Sequence, residues 1–430
     1  MIEKLPSCED PSDPGLLPVD VALQRIQQML PTPDASLADT LALDDALGRI
    51  LAVDILSPID VPSYTNSAMD GYAIAASDIP GTKQATATLQ VVGTAWAGRP
   101  FSGDIKPGQA VRIMTGAMMP ADLDTVVIQE HVAADENAST VTIDGEVQAG
   151  RNVRLSGEDV TRGQSVFSAG TRLSPAHLGV LASIGIDKIQ AYRQITVAFF
   201  TTGDELRSLE QHAGETLGDG ELFDSNRYTL TAMLQRLGVE TLYLGIVPDD
   251  AEATRKTFEE AASRADIIVT SGGVSAGEAD YVTRVIHEMG DVGFWKLAMR
   301  PGRPLAFGRV GDAFFFGLPG NPVAVMVTFY EFVQSAILQM MGAGANDSEV
   351  QLVTARSVSA LRKSPGRTEY QRGVLSLDEN GHSIVDTTGK QGAGRLTSMC
   401  EANCLIVLPP GSSNIAAGDL VTVRPFYGLM

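Results

Sequence analysis

Cysteine is nearly missing from this chain: its 430 residues include Cys8, Cys400 and Cys404 and no others. An odd, sparse count excludes a disulfide framework and fits a reducing compartment. The five histidines are scattered singly, none beside Cys400 or Cys404, so the spacing of a Cys/His zinc site is missing too. No segment reaches the ~18 uninterrupted apolar residues of a membrane span. The opening MIEKLPSCEDPSDPG has no apolar signal region. Residues 1–15 are therefore expected to form a flexible tail, and the protein is expected in the cytoplasm with no membrane partner. Basic residues are scarce: 32 Lys and Arg stand against 52 Asp and Glu, a formal charge of −20. Such a surface repels nucleic acid and anionic lipid. The HExxH helix is absent as well, which removes the commonest signature of zinc hydrolases.

What remains is long and ordinarily globular. A chain of this length outgrows one core and divides into roughly three or four domains. Val19, Leu23, Ile26 and Leu30 recur at helical spacing up to Pro31. A second short helix is expected over 44–52 and a third over 174–186. Between them, residues 61–150 alternate short β-rich runs with Gly, Pro, Asp and Asn turns, as in an inserted β module. The flanking stretches, 16–60 with 151–190, read as one helical or linker domain. From 191 to 345 strand and helix alternate: ITVAFF, helix 225–237 ending at Gly238, ETLYLGIV, helix 251–264, ADIIVTSGG, helix 280–289, AFFFGL and helix 322–341. That order predicts a doubly wound parallel α/β domain. Short β runs return over 346–430 and predict a small C-terminal β-barrel. The fold class is thus multidomain α/β.

In open α/β sheets ligands bind beyond the carboxyl ends of the strands. Reading outward from three inferred strands gives Asp204 and Glu205, then Asp249 and Asp250, then Glu278 and Asp280. Helix capping would account for any one of these acids. Gathering them costs about 3 kcal/mol per pair at 5 Å and an effective dielectric of 20, so a cation or basic partners must offset the charge, and Mg²⁺ fits. SGGVSAG (271–277) lets backbone N–H groups approach an anion, which makes Ser271, Gly272, Gly273 and Ser275 candidates for substrate binding; a ligand-free tight turn is the alternative. WKLAMRPGRP sets Lys296, Arg300 and Arg303 close together against a strongly acidic background, as in an anion clamp or a solvated basic turn. Far upstream, NSAMDGYA holds Asp70 between small residues, either in an Asx turn or at the same site.

Taken in order, NSAMDGYA, IMTGA, GEDV, TTGDEL, DSNR, TSGGVSAGEADY, FWKLAMRPGRP, GLPGNPV and QRGV resemble the molybdopterin molybdenumtransferases of the MoeA type, and are similar to the C-terminal domain of gephyrin. The likeness runs from about residue 16 to the end. It implies insertion of molybdate into adenylylated molybdopterin with release of AMP, in an elongated four-domain homodimer that meets the adenylyltransferase of the same pathway. Asp70 and Thr115 match residues implied to reach the cleft from the other subunit. Asp159 matches a further functional acid. Glu205, Asp249 and Asp280 match an acidic cluster, implied with Asp70 to be catalytic and proposed to hold Mg²⁺. Lys296 and Arg300 match a basic pair, and Arg372 a basic residue of the last domain. Two departures stand out: Arg300 where the family often has Lys, and Ala393 where it often has Ser, which puts a role for the 391–393 loop in doubt. The rival readings are adenylyl transfer to the pterin itself and a non-catalytic scaffold.

Overall fold

The computed structural model describes residues 15–135, 137–212, 214–274, 281–344 and 351–426. Ser275, Gly277, Glu278 and Asp280 lie outside the described residues. The first helix, α1 (Val19–Met29), buries Val19, Ala22 and Ile26, as its apolar spacing requires. Its buried face joins the core of the α/β domain, and Leu17 bridges to Leu297 there.

The expected helix over 44–52 is not formed. A single 3₁₀ turn at Leu43–Asp45 is followed by Gly48 at φ +75°, and Ile50 and Leu51 then bridge to Arg172 and Ala191 as extended chain. A left-handed residue ends helical propagation, and Gly adopts that conformation without strain. Asp39–Ala42 pairs with Lys188–Ala191, and Ile55–Leu56 with Ser165–Phe167. The stretches before and after the β module are therefore sewn together over a shared core of Leu51, Ile55, Leu173, Leu181, Ile184 and Ile189.

The β module holds β1 (Gly71–Ile74), β2 (Thr86–Ala95), β3 (Gln109–Ile113), β4 (Thr125–Ile128), β5 (Ala133–Asp135) and β6 (Thr140–Asp144) in the order β4-β1-β3-β2-β6-β5. Successive side chains point to opposite faces, so Ala73, Val111 and Ile113 fill one cluster while Tyr72, Ile74 and Ala110 fill another. Helix α2 (Pro175–Ser183) follows, opened by a capping box between Ser174 and His177.

In the α/β domain, β7 (Thr196–Thr202), α3 (Ser225–Leu237), β8 (Glu240–Val247), α4 (Ala251–Arg264), β9 (Ile267–Ser271), α5 (Tyr281–Met289), β10 (Gly290–Lys296), β11 (Pro304–Val310), β12 (Ala313–Leu318) and α6 (Pro322–Met341) build one sheet in the order β8-β7-β9-β12-β11-β10. The first four strands are parallel, as alternation with helices demands; β11 and β10 are antiparallel. β11 is a strand the sequence pattern did not reveal. Its connections, 297–303 and 311–312, are too short for a crossover, and a short link forces the antiparallel hairpin. Phe199, Phe307 and Phe316 face one layer of helices and Phe200 and Phe315 the other, where Phe258 of α4 packs on them. By length and apolarity α6 could cross a bilayer, yet 72% of its most apolar window is buried inside the protein.

At the C-terminal end, β13 (Val353–Ser357), β14 (Thr368–Leu377), β15 (Ser383–Thr387), β16 (Cys404–Leu408) and β17 (Leu420–Pro425) close as β14-β15-β13-β17-β16 and back to β14, a five-stranded barrel. Met299–Arg300 of the α/β domain adds in parallel to β14, so the basic segment is held by both domains.

Candidate active site

Chain order reverses between β7 and β9, and the loops leaving these two strands flank the crevice where such sheets bind ligands. Thr202 ends β7, and its carbonyl oxygen stands 2.8 Å from the position a Cβ on Gly272 would take. Gly273 is equally constrained: at φ +70° a Cβ would fall 2.4 Å from Val282. The turn after β9 is therefore closed to side chains, which is what close approach of backbone N–H groups to an anion needs. Ser271, by contrast, is buried, and its hydroxyl accepts from the Asn226 amide at 2.8 Å and faces the Pro319 carbonyl at 3.4 Å. That hydroxyl ties α3 to the loop before α6, while the sequence reading of this loop concerns its backbone N–H groups.

The acids at the next two strand ends meet. The Asp249 amide donates to Asp204 Oδ1 at 3.1 Å. Burial, then the charge of Asp204 and of Glu205, raises the Asp249 carboxyl above its ordinary value. The Glu205 carboxylate folds back over Gly203, 2.5 Å from the place of a Cβ. Asp250 turns away and caps α4 by accepting from the Ala253 amide at 2.8 Å. Capping thus explains Asp250 and leaves Asp249 facing the other acids. Among the described residues no three His, Cys, Asp or Glu side chains form a metal-holding group. Mg²⁺ commonly takes one or two carboxylates and completes its shell with phosphate oxygens and water, so Glu205 and Asp249 fit that chemistry.

The basic segment lines two adjoining cavities. One, about 470 Å³, is bounded by Gly273 and Val274, by Arg300 to Pro304, by Pro319 to Asn321 and by Gln391 to Ala393. The other, about 410 Å³, shares Arg300, Pro301 and Gln391 and adds Arg362, Glu369, Gln371 and Arg372 from the barrel. Gly302, at φ +90° with a would-be Cβ 2.5 Å from Thr328, lets the Arg300–Arg303 turn lie against α6. Arg300 and Arg303 are exposed, and Arg300 stands 3.9 Å from Glu369. Lys296, exposed at the end of β10, borders neither cavity.

Arg372 is the unusual member. It is 1% exposed, yet its hydrogen bonds run to the Ser398 hydroxyl (3.0 Å) and the Gly392 carbonyl (3.1 Å), both neutral. Burial and the nearby charge of Arg300 push its guanidinium down to about 10. A buried cation beside a second cation is costly unless an anion joins them. The 391–393 loop, with Ala393 where the family often has Ser, lines the first of these cavities. The Gln391 side chain pairs with the Arg372 amide and carbonyl at 2.7 and 3.1 Å, and Ala393 O accepts from Val323 N in the first turn of α6. The sequence left that loop in doubt; Gln391 between glycines just past β15 was the available signal.

Asp70, Thr115 and Asp159 are not brought to these cavities within one chain. Asp70 is exposed and accepts from both the Thr115 amide and hydroxyl at 2.7 Å. These bonds hold its carboxyl below the ordinary range. It is a bond between the end of β3 and the start of β1, not an Asx turn closed on Asp70's own backbone. Gly71 beside it is obligatory, because a Cβ would lie 2.1 Å from Val127 O. Asp159 borders a separate open cleft with Tyr64, Arg154 and Glu158.

Three family models match in succession: the MoeA N-terminal region (domain I and II) over residues 17–185, the probable molybdopterin binding domain over 198–339 and the MoeA C-terminal region (domain IV) over 354–426. The chain is 41% identical to the molybdopterin molybdenumtransferase of Haemophilus influenzae over 96% of this chain and all of that one. It belongs to the molybdopterin molybdenumtransferase family. The Nostoc sp. molybdopterin molybdenumtransferase is 37% identical, covering 88% of this chain and 86% of its own length. Among solved structures, the molybdopterin biosynthesis moeA protein of Pyrococcus horikoshii superposes with a TM-score of 0.81 at 27% identity, covering 96% of this chain and all of that one. The family's three matched regions are the sewn β module, the α/β sheet and the closed barrel described above.

Proposed function

We propose that this chain inserts molybdate into adenylylated molybdopterin and releases AMP. The observation that carries the reading is the cleft between the α/β domain and the barrel. Arg300 and Arg303 approach it from one side and the buried, carboxylate-free Arg372 from the other. That is a place for a compact oxyanion. The backbone of Gly273 borders the same space and suits the phosphate of the pterin, as does the Arg300–Arg303 turn. Glu205 and Asp249, with Asp280, would hold Mg²⁺, which would polarise the phosphoanhydride when bound. Asp249, Asp204 and Glu205 keep the nucleotide end acidic, and a bound Mg²⁺ held there would offset their repulsion of an anionic substrate. Attack of water on the anhydride phosphorus releases AMP and leaves the pterin phosphate, while the arginines hold molybdate against the two dithiolene thiols, whose sulfurs replace one oxo group that leaves with the thiol protons as water.

Asp70 with Thr115, and Asp159, lie outside that cleft, and we assign their contribution to a homodimer in which they reach the partner's site. Contact with the pathway's adenylyltransferase and a cytoplasmic setting complete the reading; the sparse, unpaired Cys400 and Cys404 suit a reducing compartment. The test is AMP release from adenylylated molybdopterin with and without molybdate. Release that depends on molybdate and falls in Arg300→Ala supports the proposal. Consumption of ATP with free molybdopterin would point instead to adenylyl transfer.

A further inference from the structure

Helix α6 carries one π turn, Phe329–Val333, in an otherwise α-helical run. Glu331 in that turn is the sole acid of α6. Its Oε2 accepts from Arg424 Nη1 of β17 at 2.7 Å, and the two side chains are 13% and 4% exposed. Arg424 Nη2 also donates to the Tyr330 carbonyl at 2.9 Å, a group on the same widened turn. The Tyr370 hydroxyl of β14 hydrogen-bonds Glu331, and burial raises both groups above their ordinary values. Arg424 Nε has no partner. A buried ion pair with an unmet donor is a poor source of stability, since an apolar pair of equal volume does as well or better. What it does supply is directional registry between the two bodies it joins. Glu331 belongs to the α/β domain; Arg424 and Tyr370 belong to the barrel. Tyr370 lies two residues from Arg372 on one face of β14, and Glu369, the residue before Tyr370, meets Arg300.

We propose that Glu331, with Arg424 and Tyr370, is a positioning device: it sets the register of the barrel on α6, and so the spacing of Arg372 from Arg300 and Arg303 around an oxyanion held between the domains. The proposal rests on the reading of that cleft as the molybdate site. It separates the two substrates, because the oxyanion spans both domains while the glycine turn and acidic loops lie within the α/β domain alone. The experiment measures KM for molybdate and for adenylylated molybdopterin in full-length Glu331→Gln. Phe258→Leu, which trims a buried ring on the opposite face of the sheet, serves as the destabilised control. Glu331→Gln should raise the molybdate KM about tenfold with kcat and the other KM within about threefold, as expected for a displaced binding group. Glu331→Asp should recover most of the loss. Phe258→Leu should lower the melting temperature and move neither KM. A molybdate KM unchanged in Glu331→Gln, or both KM values raised equally, overturns the proposal. Should Glu331→Gln not fold, Tyr370→Phe carries the same readout, with a rise of about threefold expected and no rise overturning it. A wild-type protein without molybdate-dependent AMP release would instead defeat the functional reading. Calorimetric molybdate affinity, weakened in Glu331→Gln or not, then decides the positioning role by itself.

Discussion

Arg372→Met separates the cost of a buried cation from its use. Moving a guanidinium from 12.5 to about 10 opposes the charged form by roughly 3 kcal/mol, and at pH 7 the group carries its charge regardless. Against this stand the bonds to Ser398 Oγ and Gly392 O, together about 3 kcal/mol at the low end for bonds from a charged donor. Methionine fills a similar volume, removes the charge and leaves those two neutral groups to rearrange. The two contributions nearly cancel, so the melting temperature should stay within about 2 °C of wild type. The catalytic consequence does not cancel. Loss of a charge-assisted bond to an oxyanion is worth about 2–3 kcal/mol, which raises the molybdate KM by roughly 100-fold. Arg372→Lys keeps charge without the fork and should fall between. The assay pairs a thermal scan with the molybdate dependence of AMP release. A melting temperature lowered by more than about 6 °C, with an unchanged molybdate KM, would show that the arginine serves the barrel and not an anion.

Asp249→Asn addresses the acidic edge. The carboxyl is raised above 3.8 by burial and by Asp204 and Glu205, so its favourable contribution is complete below that value and is lost as pH rises through the folded one. The variant should therefore melt at or above the wild-type temperature at pH 7 while losing the wild-type gain on adding Mg²⁺; an undiminished gain would exclude Asp249 as a ligand. Gly71→Ala drives a methyl to 2.1 Å from Val127 O, and the β module should lose about 2–3 kcal/mol. Chemical denaturation indistinguishable from wild type would refute the close approach. If Asp70 acts in the partner's site, inactive Asp70→Ala and Glu205→Ala chains unfolded and refolded together should recover about one quarter of wild-type activity, because a mixed dimer has one intact site. Zero recovery with verified mixed dimers would mean that each site draws both residues from a single chain.

The layers of the molecule were readable from periodicity because burial imposes it. ITVAFF is apolar throughout, as a strand covered on both faces must be, and Val197 to Phe200 are fully buried in β7. Gly238 ends α3 in the left-handed conformation expected of a C-cap. Two misjudgements share one cause. The 44–52 segment has helical composition, and β11 looks like a connector; both are settled by long-range pairing, Ile50 with Arg172 and β11 between its two neighbours. Local pattern carries no information about such partners.

At the site, residue types were readable and their orientation was not. Asp249 and Asp250 are adjacent and chemically identical, and capping rules admit either. The frame is set by β8 ending at Val247 and α4 beginning at Ala251, which places Asp250 as the cap and turns Asp249 toward Asp204. The same logic separates Ser271 from its glycines. It is the last residue of β9, pairs with Leu318 and points inward, while Gly272 still donates its N–H to the Leu318 carbonyl and Gly273 follows it. Arg372 is the converse: an arginine in mid-strand reads as a solvated face, yet it is buried because α6 and the 391–393 loop cover β14 on that side. A functional residue type is thus fixed by chemistry that a sequence displays directly, whereas its direction is fixed by where a strand stops and what later packs on it. The cleft's cations come from segments some 70 residues apart, so nothing short of the domain interface could bring them to one anion.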